Sequence, residues 1–209
     1  MPADLIHLVR HGEVENPDRV LYGRLEGFGL STLGHRMAEV AAASLVGRPI
    51  VGLVASPLQR TQESAAPWAK QFALELRLDD RLIEPVNRFE GLNLRKELRN
   101  PRHWPFLMNP SRPSWGEPFG SIITRMLAAI AEAHLSVDSG EVVLVSHQLP
   151  IWMVARRLAG RALPHDPRRR RCTLSSITTI GWTDGVLVEV DYQEPAAELL
   201  AESIDLGAV

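Results

Sequence analysis

Cysteine is almost absent from this chain: Cys172 is the only one in 209 residues. A lone cysteine excludes an intramolecular disulfide and suits a reducing compartment. No apolar run approaches the ~18 residues that a membrane-spanning helix needs. The opening Met-Pro-Ala-Asp lacks the charged start and the length of a secretory signal. Net charge is only −2, without the basic excess of a general nucleic-acid binder. Repeats and low-complexity stretches are missing too. These absences predict a cytoplasmic globular protein with no nucleic-acid or membrane partner. What is present fits that class: 45% apolar and 23% charged residues, in a chain long enough to bury a core without a disulfide or metal staple.

The apolar runs come in two periods. Leu5-Ile6-His7-Leu8-Val9, Ile50 to Ala55 and Glu141 to Val145 are short and continuous, as expected of strands buried on both faces. Between them, Leu33, Met37, Val40, Ala41 and Leu45 recur at helical spacing after the caps Ser31 and Thr32. Ser56-Pro57 predicts the cap and first residue of a second helix running to about Gln71. Ile122, Ile123, Met126, Leu127 and Ile130 line one face of a third, and Leu149 to Ala159 forms a fourth. Glu75 to Leu78 alternates as a short strand. Ser176 to Trp182 and Val186 to Tyr192 flank Thr183-Asp184-Gly185 as a hairpin, whose apolar character could support a homodimer. Strands alternating with helices predict an α/β fold of three α/β/α layers around a mostly parallel central sheet. The stretch 85–118 breaks the pattern with six prolines and two tryptophans, and reads as an insertion of functional use. Trp104 and Trp115 are expected to anchor it by packing, and Arg168 to Arg171 to form a solvated surface run.

Ligands of such sheets bind beyond the carboxyl ends of the strands. Arg10-His11-Gly12 and Ser146-His147 both close a strand at that rim, and Arg60 opens the helix after a third. Guanidiniums stay charged and match phosphate oxygens with a planar fork, which suits Arg10 and Arg60 to a phosphoryl group. A neutral imidazole nitrogen of His11 can attack phosphorus. His147 can hydrogen-bond the transferring group, and Glu84 in Leu82-Ile83-Glu84-Pro85 can serve as general acid and then base. His7 alternates into its strand as a packing residue.

With those residues in place, the chain resembles the histidine phosphatase superfamily, also called phosphoglycerate-mutase-like. The likeness rests on Leu8-Val9-Arg10-His11-Gly12-Glu13, Leu30-Ser31-Thr32-Leu33-Gly34 and Ser56-Pro57-Leu58-Gln59-Arg60-Thr61. It continues through Leu82-Ile83-Glu84 with Phe89-Glu90-Gly91, Gly116-Glu117 and Val145-Ser146-His147. The resemblance implies a phosphoglycerate-mutase-like fold over residues 1–209, with 85–118 as a cap-like insertion. It implies that His11 becomes phosphorylated, that Arg10, Arg60 and His147 complete a phosphate pocket, and that Glu84 is the proton donor. Asn16 and the Gly23 amide would add phosphate contacts. Neither metal nor cofactor is implied. Where the family commonly has glycine after its second histidine, this chain has Gln148, whose backbone N–H can still serve while its side chain narrows the pocket. Glu90 is a nearby rival to Glu84.

The reaction expected is hydrolysis of a small-molecule phosphomonoester through phosphohistidine. Mutase-type transfer to a second substrate oxygen is the alternative, and Pro85 to Gly91 looks like the phosphatase branch. A zinc hydrolase lacks a helical His-x-x-x-His pair and would meet two repelling arginines. A non-catalytic phosphate-binding module would leave the histidines and the carboxylate unexplained. Arg88, Arg95, Lys96, Arg99, Arg102 and Arg112 outnumber Glu90, Glu97 and Glu117 in the insertion, which, as a cap over the pocket, would favour an acidic or multiply phosphorylated small molecule.

Overall fold

Leu5 to Val9 can be apolar without alternation only where both faces of the strand are covered. The computed structural model describes residues 2–93, 97, 99, 101–107 and 116–205 and shows that burial. Strand β1 (Leu5–Arg10) lies inside a six-stranded sheet with β2 (Ile50–Ala55), β3 (Arg77–Leu78), β4 (Glu141–Ser146), β5 (Ile177–Thr183) and β6 (Val186–Gln193), in the order β3-β2-β4-β1-β5-β6. β1 pairs with β4 in parallel and with β5 antiparallel; β2 runs parallel to β4 and β3. Only β5 runs against the rest, so the sheet is mixed but mostly parallel.

Four helices cover the sheet: α1 (Thr32–Ala43) and α2 (Gln59–Phe72), then α4 (Phe119–Leu135) and α5 (Gln148–Leu158). A one-turn α3 (Trp104–Leu107) lies in the 85–118 stretch, where Asn87 and Gly116 form an isolated bridge. Strand side chains alternate between the layers. Ile6, Leu8, Val142 and Leu144 pack with Ile122, Met126 and Met153 on one face. Val9, Leu53, Val143 and Val145 pack with Ala41 and Trp68 on the other. The buried His7 bonds Thr179 Oγ1 at 2.9 Å and Glu141 Oε2 at 2.8 Å, and Arg48 closes on Glu141, so this buried carboxylate is paired.

Three local expectations change. α2 starts at Gln59 after Leu58, whose apolar side chain makes no cap, while the Ser56 hydroxyl accepts from His147 Nε2 at 2.8 Å and from Leu58 N–H at 3.5 Å. The strand expected over Glu75 to Leu78 shortens to Arg77–Leu78 at the sheet edge. Trp104 keeps 56% of its surface exposed rather than packing as an anchor, and Trp115 lies outside the described residues. The hairpin turns on Asp184 and Gly185 with φ of 51° and 75°, a two-residue turn that follows the strand twist.

Two glycines fix how α1 meets the end of β1. A Cβ on Gly12 would stand 2.3 Å from the Gly34 carbonyl oxygen, and one on Gly34 would stand 2.0 Å from that of Glu13. Both obstacles are backbone, so neither yields easily. Gly34→Ala should therefore cost about 2 kcal/mol or more, lowering Tm by roughly 4–8 °C. An unchanged thermal melt would show that α1 can move away freely.

Candidate active site

β1 and β4 end side by side, with Arg10 opposite Ser146. The next residues, His11 and His147, therefore leave the sheet at one rim, their rings 5.3 Å apart and inclined at 63°. β2 ends beside them, and the chain turns through Ser56-Pro57 so that Arg60 becomes the second residue of α2. Glu84 follows the short turn Asp80–Leu82, held by Arg24 Nε to its carbonyl (2.5 Å) and by Ser146 Oγ to the Leu82 carbonyl (2.7 Å). Arg10, His11, Glu84 and His147 have no exposed surface, and Arg60 has 1%.

The protonation of His11 follows from its neighbour. Its Nδ1 is 2.7 Å from the Gly12 carbonyl, which can only accept, so the proton sits on Nδ1 and Nε2 carries the lone pair. Burial, then the charges of Arg60 and Arg10, hold the imidazole pKa well below its ordinary value. Gly12 N–H donates to Ser64 Oγ, which in turn donates to the Arg60 carbonyl, so the turn after β1 is tied to α2.

His147 is set by the same logic. Arg60 Nη2, always a donor, meets its Nδ1 at 3.2 Å, so Nε2–H donates to Ser56 Oγ at 2.8 Å. Burial, followed by Arg60, keeps this ring neutral as well. Arg60 also donates to the Gly23 carbonyl at 2.7 Å and lies over the Tyr22 ring at 4.8 Å. The Glu84 carboxyl sits 3.5 Å from His147 Nδ1, and burial pushes its pKa up to about 7 against the pull of Arg60, Arg170 and Arg10.

Buried polar atoms ordinarily have partners, and those without them need a reason. Among the described residues, Arg10 Nε, His11 Nε2, Arg60 Nε and both Glu84 carboxyl oxygens are buried without a hydrogen-bond partner. One small site thus contributes two cationic donors, a lone pair and a carboxyl group. No group of three His, Cys, Asp or Glu among the described residues is spaced to hold a metal ion.

The other predicted residues divide. Gly23 adopts φ +41° beside Arg60, and a Cβ there would collide with Glu90. The Asn16 amide bonds both the N–H and the carbonyl of Val20 and so staples its loop, with its second N–H left over. Gln148 begins α5 and directs its side chain to Arg170 and the Cys172 carbonyl. Glu90 is half-buried and accepts from Asn87 N–H.

The expected solvated run holds for Arg168, Arg169 and Arg171, but Arg170 is half-buried, bonds His165 and Gln148, and lies in the field of Glu84. A block of four arginines conceals which one turns inward. Ser56, Tyr22 and Asp205 also serve the site without having been singled out for it. Ser56 was visible beside the Arg60 motif, whereas Asp205 belongs to a tail with no motif.

A family model described as histidine phosphatase superfamily (branch 1) matches residues 6–194. The chain belongs to that superfamily. It is 48% identical over 201 residues to an uncharacterized protein of Mycobacterium tuberculosis, covering 94% of this chain and 100% of the relative. It is 30% identical over 205 residues to a protein of Yersinia enterocolitica named probable phosphoglycerate mutase GpmB, covering 90% and 85%. The fold of this histidine phosphatase superfamily member is similar to that of phosphoserine phosphatase from Entamoeba histolytica, with a TM-score of 0.76, 20% identity and coverage of 91% and 97%.

The buried Glu84 gives a stability test independent of turnover. Its carboxyl moves from 4.5 to about 7 on folding, so the folded chain keeps a proton that the unfolded chain has released. That contribution is intact below pH 4.5 and is lost as pH rises through about 7, to a cost on the order of 3 kcal/mol. Glu84→Gln should accordingly melt higher than the parent at pH 8, with the gap shrinking at pH 5.5. A gap that widens on acidification would reverse the sign.

Proposed function

We propose that the chain hydrolyses small-molecule phosphomonoesters through a phosphohistidine on His11. The observation that carries this reading is that, of the eight buried side-chain atoms without partners among the described residues, five belong to Arg10, His11, Arg60 and Glu84. They make up two guanidinium N–H groups, one imidazole lone pair and one carboxyl group; the others are Trp68 Nε1, Trp152 Nε1 and Ser175 Oγ. A phosphoryl group supplies acceptors for both guanidiniums, a phosphorus for His11 Nε2 and a leaving oxygen for Glu84.

In the first step the His11 Nε2 lone pair forms the N–P bond as the ester P–O bond breaks. Glu84, protonated up to about pH 7, gives its proton to the departing alkoxide. Arg10 and Arg60 offset the charge on the phosphoryl oxygens, and His147 lines the same space. In the second step water attacks the phosphohistidine, Glu84 takes the water proton, and orthophosphate leaves with His11 restored. Glu84 fits this duty better than Glu90, whose carboxylate is engaged with Asn87. The stretch 85–118 is read as a cap. Its support is the backbone pairing of Leu21 with Gly91 and Leu92, beside Gly23 and Arg60. The acidic-substrate reading draws on Arg88, Arg99 and Arg102; Arg95, Lys96 and Arg112 lie outside the described residues.

Assays with p-nitrophenyl phosphate and an alkyl phosphate test this reading. His11→Ala should abolish both, and a chelator should change neither. Glu84→Gln should slow the alkyl ester by about 10²–10⁴-fold, and the nitrophenyl ester far less, because nitrophenolate leaves without a proton. Equal losses on both esters would remove Glu84 from the acid role. Isomerisation of 3-phosphoglycerate faster than any hydrolysis would replace the phosphatase with a mutase.

A further inference from the structure

After β6 the chain doubles back across the rim that carries the site. A short turn, Ala197–Glu202, is pinned through Ala196, Leu199 and Leu200 to Met37 and Leu174. Ile204 N–H then donates to Glu13 Oε1 at 2.6 Å, and Asp205 reaches Arg10. Its two carboxylate oxygens accept from Arg10 Nη1 and Nη2, each at 2.7 Å, while Nη1 also donates to the Cys172 carbonyl at 2.8 Å.

A guanidinium is planar, with an end fork made by its two terminal nitrogens and a side fork made by Nε and Nη2. Asp205 and Cys172 occupy the end fork. The side fork keeps its Nε–H, which is buried and has no partner. His11 Nε2 and Arg60 Nε are likewise without partners, so the Asp205 carboxylate does not stand on the atoms proposed to take the phosphoryl group. Burial alone would weaken the protonation of Arg10, yet Asp205 outweighs it and holds the cation above its ordinary pKa.

We propose that Asp205 is a positioning residue for the proposed phosphoryl-transfer site. It grips the end fork of Arg10 and leaves the side fork for the substrate phosphoryl group. The proposal rests on the phosphatase reading for its purpose but can fail separately from it. A buried guanidinium without its carboxylate would turn its end fork elsewhere, and the side fork would lose its aim.

The test compares parent, Asp205→Asn, Asp205→Glu and a chain ending at Ser203. Inorganic phosphate binding is measured by titration calorimetry, and p-nitrophenyl phosphate kinetics are recorded alongside. Asp205→Asn and the shortened chain should weaken phosphate binding and raise KM about tenfold. kcat should change less than threefold, Tm should fall in Asp205→Asn as the buried Arg10 loses its carboxylate, and Asp205→Glu should recover most of the affinity, because the tail is exposed enough to accept a longer side chain. Tighter phosphate binding or faster turnover in Asp205→Asn would overturn the proposal, making Asp205 an inhibitory occupant. Unchanged binding would also overturn it. If no variant, the parent included, hydrolyses an ester while phosphate binding still falls on loss of Asp205, the positioning role stands and the phosphatase reading fails.

Discussion

The hydrogen bond between His11 Nδ1–H and the Gly12 carbonyl is the contact on which the rest of the site depends. It decides which ring nitrogen carries the lone pair, and therefore which face of His11 can act on a ligand. The carbonyl is held in place by the approach of Gly12 to Gly34, where no side chain fits, and by the bond from Gly12 N–H to Ser64. α1, α2 and the end of β1 thus share one junction, and the chemistry proposed for the protein requires all three. The sheet supplies the remainder by register: Arg10 opposite Ser146 sets His11 beside His147 without any long-range loop having to find them.

Burial first, and charge after it, explain why the two histidines are neutral. Taking either imidazole out of water makes its protonation costly, and the buried guanidiniums beside it add to that cost. The compensating negative groups are divided in their duties. Asp205 lies on the outer fork of Arg10, while Glu84 is desolvated strongly enough to keep a proton near neutral pH. In the proposed reaction the site receives an anion while its own carboxyl group holds a proton for the leaving oxygen. This division resembles the way environments push paired titratable groups toward separate roles.

Much of this was legible in the chain because parallel strands buried on both faces are written as continuous apolar runs. Leu5 to Val9, Ile50 to Ala55 and Glu141 to Val145 sit within a residue of their observed ends. Arg10, His11, Arg60 and His147 were visible because each closes or follows a strand or opens the helix beyond one, whereas Glu84, a loop carboxylate after the turn Asp80–Leu82, was raised only by its place in the family pattern. Residues whose role depends on the third dimension were harder. Ser56 looked like a helix cap because cap and hydrogen-bond partner draw on the same hydroxyl. Arg170 was hidden among three exposed arginines, since composition cannot say which one turns inward. The Asn16 amide holds its own loop through Val20, four residues away, a duty that composition does not show. Asp205 follows an exposed turn without periodicity, and only the folded hairpin carries it back to Arg10.

In the proposed reaction phosphorus is carried by His11 Nε2. Rapid acid-free quenching of the protein with a phosphate ester, followed by peptide mapping and ³¹P spectroscopy, observes that bond directly. A single phosphoryl group is expected on His11, stable to alkali, labile to acid and accumulating when Glu84→Gln slows its hydrolysis. A phosphoryl group on any other residue, or turnover of the ester without a trapped phosphohistidine under those conditions, would contradict it.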